Sequence, residues 1–190
     1  TTGGGGAYLT VRPAPTYTGA MRCDHFDAGT CRSCTLLPQP YERQLAGKAE
    51  AVAATLSPIP GTGDIDWLAP ASSPEEGFRT SAKLVVGGTR RRPTLGILGP
   101  DRRGVDLPGC PIQHPAINRA TPGLKRFIRS LNLTPYDVPT KRGELKNILI
   151  TVGDGERLMI RFVLRTRDRV SDIRSALPLL RDLVPSAHVV

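Results

Sequence analysis

Apolar and polar residues alternate in short, well-bounded runs after residue 77 and show little order before residue 41. Residues 78–86, FRTSAKLVV, put Thr80, Ala82, Leu84 and Val86 on one side and Arg79, Ser81 and Lys83 on the other. That period of two marks a half-buried strand. GGTRRRP offers a turn, and residues 94–99, TLGILG, supply the hairpin partner, with Arg90, Arg91 and Arg92 at an exposed basic tip that suits a phosphate contact. Behind Thr121-Pro122, which reads as an N-cap with proline at the first helical position, Leu124, Phe127, Ile128 and Leu131 recur at helical spacing. Pro135 ends that helix. Residues 146–152, KNILITV, form a nearly continuous apolar strand, GDGER turns the chain, and residues 158–165, LMIRFVLR, return. In the return strand Leu158, Ile160, Phe162 and Leu164 face one way, Arg161 and Arg165 the other. A last helix over 171–184 carries Ile173, Leu177, Leu180 and Val184, with Pro178 as a kink. The closing AHVV reads as the start of one more strand.

Two strand–strand–helix halves, 78–131 and 147–184, share no sequence similarity. They predict an α/β (α+β) fold: a two-layer sandwich with antiparallel hairpins over residues 63–190. On one sheet, Arg79, Lys83, Arg161 and Arg165 would project from a common face, a candidate RNA-binding surface. Upstream, residues 1–20 are rich in Gly, Thr and Pro and read as a disordered tail, with Met21 a candidate natural start. Residues 41–56 read as a helix with Leu45, Ala49, Val52 and Leu56 on one face, closed by Pro58, Pro60 and Gly61. Residues 21–62 are expected to form a small module that this helix packs onto the central domain, which itself supplies Cys110.

Charge narrows the partners. The net charge of +9 is uneven: residues 1–75 carry −2 and residues 76–190 carry +11, and twenty-one of the twenty-six basic residues are arginine. A basic, arginine-rich second part favours a polyanion, since the guanidinium fork pairs with phosphate and stacks on bases. No run of eighteen apolar residues is present, so no membrane helix is expected. The first twenty residues lack a secretory pattern, which points to the cytoplasm and away from disulfides. A monomer is expected.

The candidate chemistry lies in the cysteines. The chain has four: Cys23, Cys31 and Cys34 in CDHFDAGTCRSC, and Cys110 in GCP, with 75 residues between Cys34 and Cys110. Four thiolates can hold a 4Fe–4S cluster or one tetrahedral zinc ion. Three clustered ligands with a remote fourth before proline favour the cluster. Two disulfides or four unrelated thiols are the plainer alternatives. Gly29 gives backbone freedom before Cys31, and Arg22 and Arg32 flank the ligands and could offset the charge of a thiolate cluster. His114, four residues past Cys110, could approach the same centre, although a surface or core histidine is the commoner outcome.

CDHFDAGTCRSC, FRTSAKLVV, GCP, LTPYDV, KRGELKNILI and MIRFVLR occur in this order. Together, over roughly residues 21–190, they resemble the amino-terminal half of bacterial 23S ribosomal RNA uracil-C5 methyltransferases of the RumB/RlmC type. The resemblance implies that Cys23, Cys31, Cys34 and Cys110 hold a 4Fe–4S cluster and that the central α/β unit helps hold 23S ribosomal RNA. It implies too that a carboxy-terminal Rossmann-like domain binds S-adenosylmethionine and does the chemistry. That chemistry needs a free activated thiol and a base. All four cysteines here are assigned to metal, and no glycine-rich dinucleotide-type turn follows any strand. No catalytic residue is carried over, and the chain alone is expected to be an inactive portion of the enzyme. The competing reading is a stand-alone zinc-binding, RNA-binding module.

Overall fold

The computed structural model describes residues 21–63 and 65–190, so the expected tail over 1–20 lies outside the described residues. The elements are a short helical turn α1 (Asp24–Asp27), α2 (Tyr41–Leu56), β1 (Ser81–Gly88), β2 (Pro93–Leu98), β3 (Gly104–Asp106), α3 (Pro115–Ser130), β4 (Leu145–Val152), β5 (Leu158–Leu164), α4 (Val170–Ser175), α5 (Leu177–Leu183) and β6 (Ala187–Val189). The chain divides into two compact units. Residues 21–38 fold with residues 75–190, and residues 39–74 belong to a separate unit. The expected grouping of the cysteine loop with the 41–56 helix is therefore not how the contacts divide.

The larger unit is a six-stranded sheet in the order β3-β2-β1-β4-β5-β6, antiparallel throughout except for the parallel β5–β6 pair. Alternation decides its faces. Ala82, Leu84 and Val86 of β1, Ile148 and Ile150 of β4, and Leu158 and Ile160 of β5 are buried together with Ile117, Leu124, Phe127 and Ile128 of α3. Phe127 and Phe162 meet across the layers with ring centroids 5.6 Å apart. The two expected hairpins are present, joined by β1 pairing directly with β4. Helices cover one face only of this mixed α/β sheet.

Several boundaries differ from expectation, each for a physical reason. α3 begins at Pro115, not at Thr121-Pro122. His114 is its cap, its Nδ1 accepting the Ala116 N–H at 3.2 Å. Pro122 is tolerated inside the helix because Thr121 Oγ1 donates to the Asn118 carbonyl, the acceptor that an N–H at position 122 would otherwise serve. The expected 171–184 helix breaks at Ala176 into α4 and α5, and Pro178 sits in the first turn of α5, where its missing N–H costs nothing. β1 starts at Ser81 and runs to Gly88, later than expected, and β3 had no sequence expectation. α2 has the expected bounds, but none of its residues is buried, and Val52 of its apolar stripe is 51% exposed. No described helix is long and apolar enough to cross a membrane.

Gly123 shows how tightly α3 meets α5. A Cβ there would lie 2.2 Å from the Leu183 carbonyl oxygen and 2.6 Å from Val184 Cγ2. Helix propensity alone would make Gly123→Ala stabilising by about 1 kcal/mol. The clash with backbone reverses the sign, and overpacking predicts a net loss of about 1–2 kcal/mol. Urea unfolding measures it; a raised midpoint would contradict this packing.

Candidate metal centre

The cysteine loop is built by local hydrogen bonds that fold it back on itself. The Cys23 carbonyl accepts the N–H groups of Phe26 and Asp27, both at 2.9 Å, which starts α1. Gly29, at φ 72°, reverses the chain, and the Cys31 N–H then reaches the His25 carbonyl at 3.0 Å. Cys34 continues into a turn through its carbonyl and the Leu37 N–H.

Cys110 arrives from the other side of the sheet unit. Residues 111–114 run alongside the approach to β1: Gly77 N–H donates to the Pro111 carbonyl, Arg79 N–H to Ile112, and His114 N–H to Arg79. Asn118 of α3 donates through Nδ2 to the Cys110 carbonyl at 3.0 Å. The two stretches are clasped by His25, whose Nε2 lies 2.7 Å from the Pro108 carbonyl. Spacing gave no signal for this role of His25; only the fold reveals it.

All four cysteines line one pocket. Cys23 is buried, and Cys31, Cys34 and Cys110 are half-buried. Phe26, Leu107, Pro111 and Ile112, with His25, complete the wall around a narrow space of about 20 Å3. Among the described residues, no group of three or more His, Cys, Asp or Glu is placed to hold a metal ion. The donor types at the pocket are thiophilic: four thiols and His25 in apolar surroundings, with no carboxylate among the lining residues.

Burial pushes the Cys34 thiol above its ordinary value, Cys31 and Cys23 add to the rise, and Arg79 opposes it. Burial also raises Cys110, against the N–H groups of Ile112 and Gln113, with Cys23 and Cys34 adding. The expected flanking arginines are otherwise engaged: Arg32 stacks over Phe26 at 4.5 Å and Arg22 meets Asp27 at 4.0 Å. Arg79 supplies positive charge near Cys34. His114 caps α3 by accepting the Ala116 N–H and is absent from the pocket lining.

The four candidate RNA residues do not share one setting. Lys83 pairs with Leu149, and Leu149 with Arg161, so Lys83 and Arg161 stand in one row on the uncovered sheet face. Arg79 precedes β1 and acts on Cys34. Arg165 is tethered, donating through Nε to the Gly143 carbonyl at 2.9 Å beside Glu144.

Curated relatives match this chain closely. It is 41% identical over 171 residues to the 23S rRNA (uracil(747)-C(5))-methyltransferase RlmC of Escherichia coli O139:H28, a match covering 90% of this chain and 45% of that protein. The RlmC proteins of Shigella boydii serotype 4 and Shigella sonnei match to the same extent. By sequence, the chain is similar to part of the 23S rRNA uracil-C5 methyltransferases. It spans a little under half the length of these relatives. No family model matches the sequence. Among solved structures, Pyrococcus abyssi tRNA (uracil-54, C5)-methyltransferase in complex with S-adenosyl-L-homocysteine has the same fold over 72% of this chain and 32% of its own, with a TM-score of 0.56 and 24% identity.

The raised thiols carry a stability consequence for this methyltransferase relative. With folded-state values above the unfolded ones, the metal-free folded protein binds more protons than the unfolded chain once pH exceeds the unfolded thiol value, about 8.5. Their contribution is fully present below that pH and is lost as pH rises through the folded values. Urea midpoints of reduced, metal-free protein should fall between pH 7 and pH values above about 9; a midpoint that holds or rises would contradict the burial of Cys34 and Cys110.

Proposed function

We propose that these residues are the cluster-bearing, RNA-holding part of an S-adenosylmethionine-dependent 23S rRNA uracil-C5 methyltransferase. The observation that carries the reading is the convergence of Cys23, Cys31, Cys34 and Cys110 on one apolar pocket in a chain related to RlmC. The four thiolates would hold a 4Fe–4S cluster, which when bound supplies iron–thiolate bonds that fasten the cysteine loop to the sheet. Three clustered thiols with a remote fourth before proline favour a cluster over the zinc-module alternative.

The rest of the role belongs to the chain's own residues. His25 holds the Pro108 carbonyl and Asn118 holds the Cys110 carbonyl, so the fourth thiol stands in place. Arg79 lowers the cost of thiolate charge at Cys34. Lys83 and Arg161, in one row on the open sheet face, would take phosphates of the 23S substrate without reading its sequence. All four cysteines lie at the pocket, so the nucleophilic thiol and methyl-donor site that the family's reaction needs are assigned to another part of the intact protein, and this portion alone transfers no methyl group. Cytoplasmic ribosome maturation is the setting this implies.

Anaerobically purified protein should contain about four iron and about four acid-labile sulfide per chain. Cys110→Ser should lose most of both. One zinc per chain with no sulfide would replace this reading with the zinc-module alternative.

A further inference from the structure

Two depressions in the sheet unit lie away from the cysteine pocket. The β2–β3 turn folds back over the end of β1, so closely that a Cβ on Gly87 would sit 2.6 Å from the Cα of Gly104. The turn brings Arg102 and Arg103 against Gly88 and Thr89, and Tyr136 and Asp137 form the other wall of a groove of about 270 Å3. Thr89 also lines a neighbouring depression of about 430 Å3, walled by Arg90, Arg91 and Asn132.

Four guanidinium groups thus border the two depressions against one carboxylate, that of Asp137. Asp137 Oδ2 is already occupied by the N–H and Oγ1 of Thr140. Among the described residues none of these four arginines lies within ion-pair distance of a carboxylate, and Arg103, behind the Thr140 hydrogen bonds, helps hold the Asp137 carboxyl below its ordinary value. Arg102 is also held at φ 62°, a backbone region that glycine would occupy without strain. An arginine kept there puts a cation on the rim at a conformational cost. Tyr136 offers a ring, with Lys146 Nζ 5.1 Å from its centroid.

Unpaired guanidinium forks match phosphate oxygens, and a basic track with an aromatic ring is how single strands are held. Volumes of this order resemble small-molecule pockets, which suits a nucleotide or two and excludes the body of a duplex. The groove adjoins the end of β1, whereas Arg79 and the cysteine pocket adjoin its start, a separation on the order of 25 Å along an extended strand. We propose that this groove is a second RNA contact, taking the sugar–phosphate backbone of a single strand across Arg102, Arg103, Arg90 and Arg91, with Tyr136 in its wall. The inference rests on the RNA-holding reading above and adds to it a site separate from Lys83 and Arg161.

Fluorescence anisotropy with a short labelled single-stranded RNA and the full, metal-loaded chain tests it. Replacing Arg102→Gln together with Arg103→Gln should weaken binding about tenfold and make the log–log salt dependence shallower by about 1.4, two phosphates at about 0.7 each. The pair Arg102→Lys and Arg103→Lys keeps the charge and should stay within about threefold of the parent. Both pairs are exposed and should leave the melting temperature unchanged. Parent-like affinity and salt dependence in the glutamine pair would overturn the groove while leaving RNA binding by the chain intact. A lysine pair as weak as the glutamine pair would mark the arginines as structural and also overturn it. Failure of the unmodified chain to bind RNA at low salt would overturn the groove and the RNA-holding reading together.

Discussion

Three backbone hydrogen bonds govern this molecule. Gly77 to Pro111, Arg79 to Ile112 and His114 to Arg79 align residues 111–114 with the entry to β1. That short ladder presents Cys110 to the cysteine loop on one side and begins α3 at Pro115 on the other. α3 then supplies Ile117, Leu124, Phe127 and Ile128, the helical half of the core. Core and pocket are therefore built from one crossing of the chain. Displacing it would uncover apolar surface and separate the thiols at once. Ligation would add to this ladder by closing the 75 residues between Cys34 and Cys110, a loop whose closure entropy grows only slowly with length.

The layout separates tasks along β1. Its start adjoins Arg79 and the thiols, its middle bears Lys83 in a row with Arg161, and its end opens into the arginine-lined groove. Positive charge is distributed over both the uncovered face and the loop end, while the apolar face is spent on α3. This division follows from period-two alternation: every second residue of β1 and β4 is committed to the core, leaving the others for solvent or ligand.

Much of this was legible beforehand, and the failures have identifiable causes. The four cysteines stand out because thiol chemistry is carried by residue identity, β1 and β5 because apolar residues alternate with Lys83 and Arg161, and β4 because its run is almost wholly apolar. Of the four basic positions expected on one face, Lys83 and Arg161 share a row. Strand parity was extended to Arg79, two residues before β1 begins, so a residue beside Cys34 was placed with Lys83. Thr121-Pro122 carries the same residue types as a helix start, yet in the fold Thr121 compensates for proline within α3. The true cap, His114, is not among the residues that usually announce one. β3 is three residues long and offers too little pattern to detect. The groove depends on the β2–β3 turn folding over Gly87, a long-range contact that no local signal encodes.

The central claim is that sulfur from residues 23–34 and from residue 110 meets at one inorganic centre. Diffraction from crystals of anaerobically prepared protein, collected on both sides of the iron absorption edge, addresses it most directly. A single compact anomalous feature bonded to the Sγ atoms of Cys23, Cys31, Cys34 and Cys110 is the result the account predicts. Iron bound by only some of these thiols, with Cys110 Sγ turned away from the others, would contradict it.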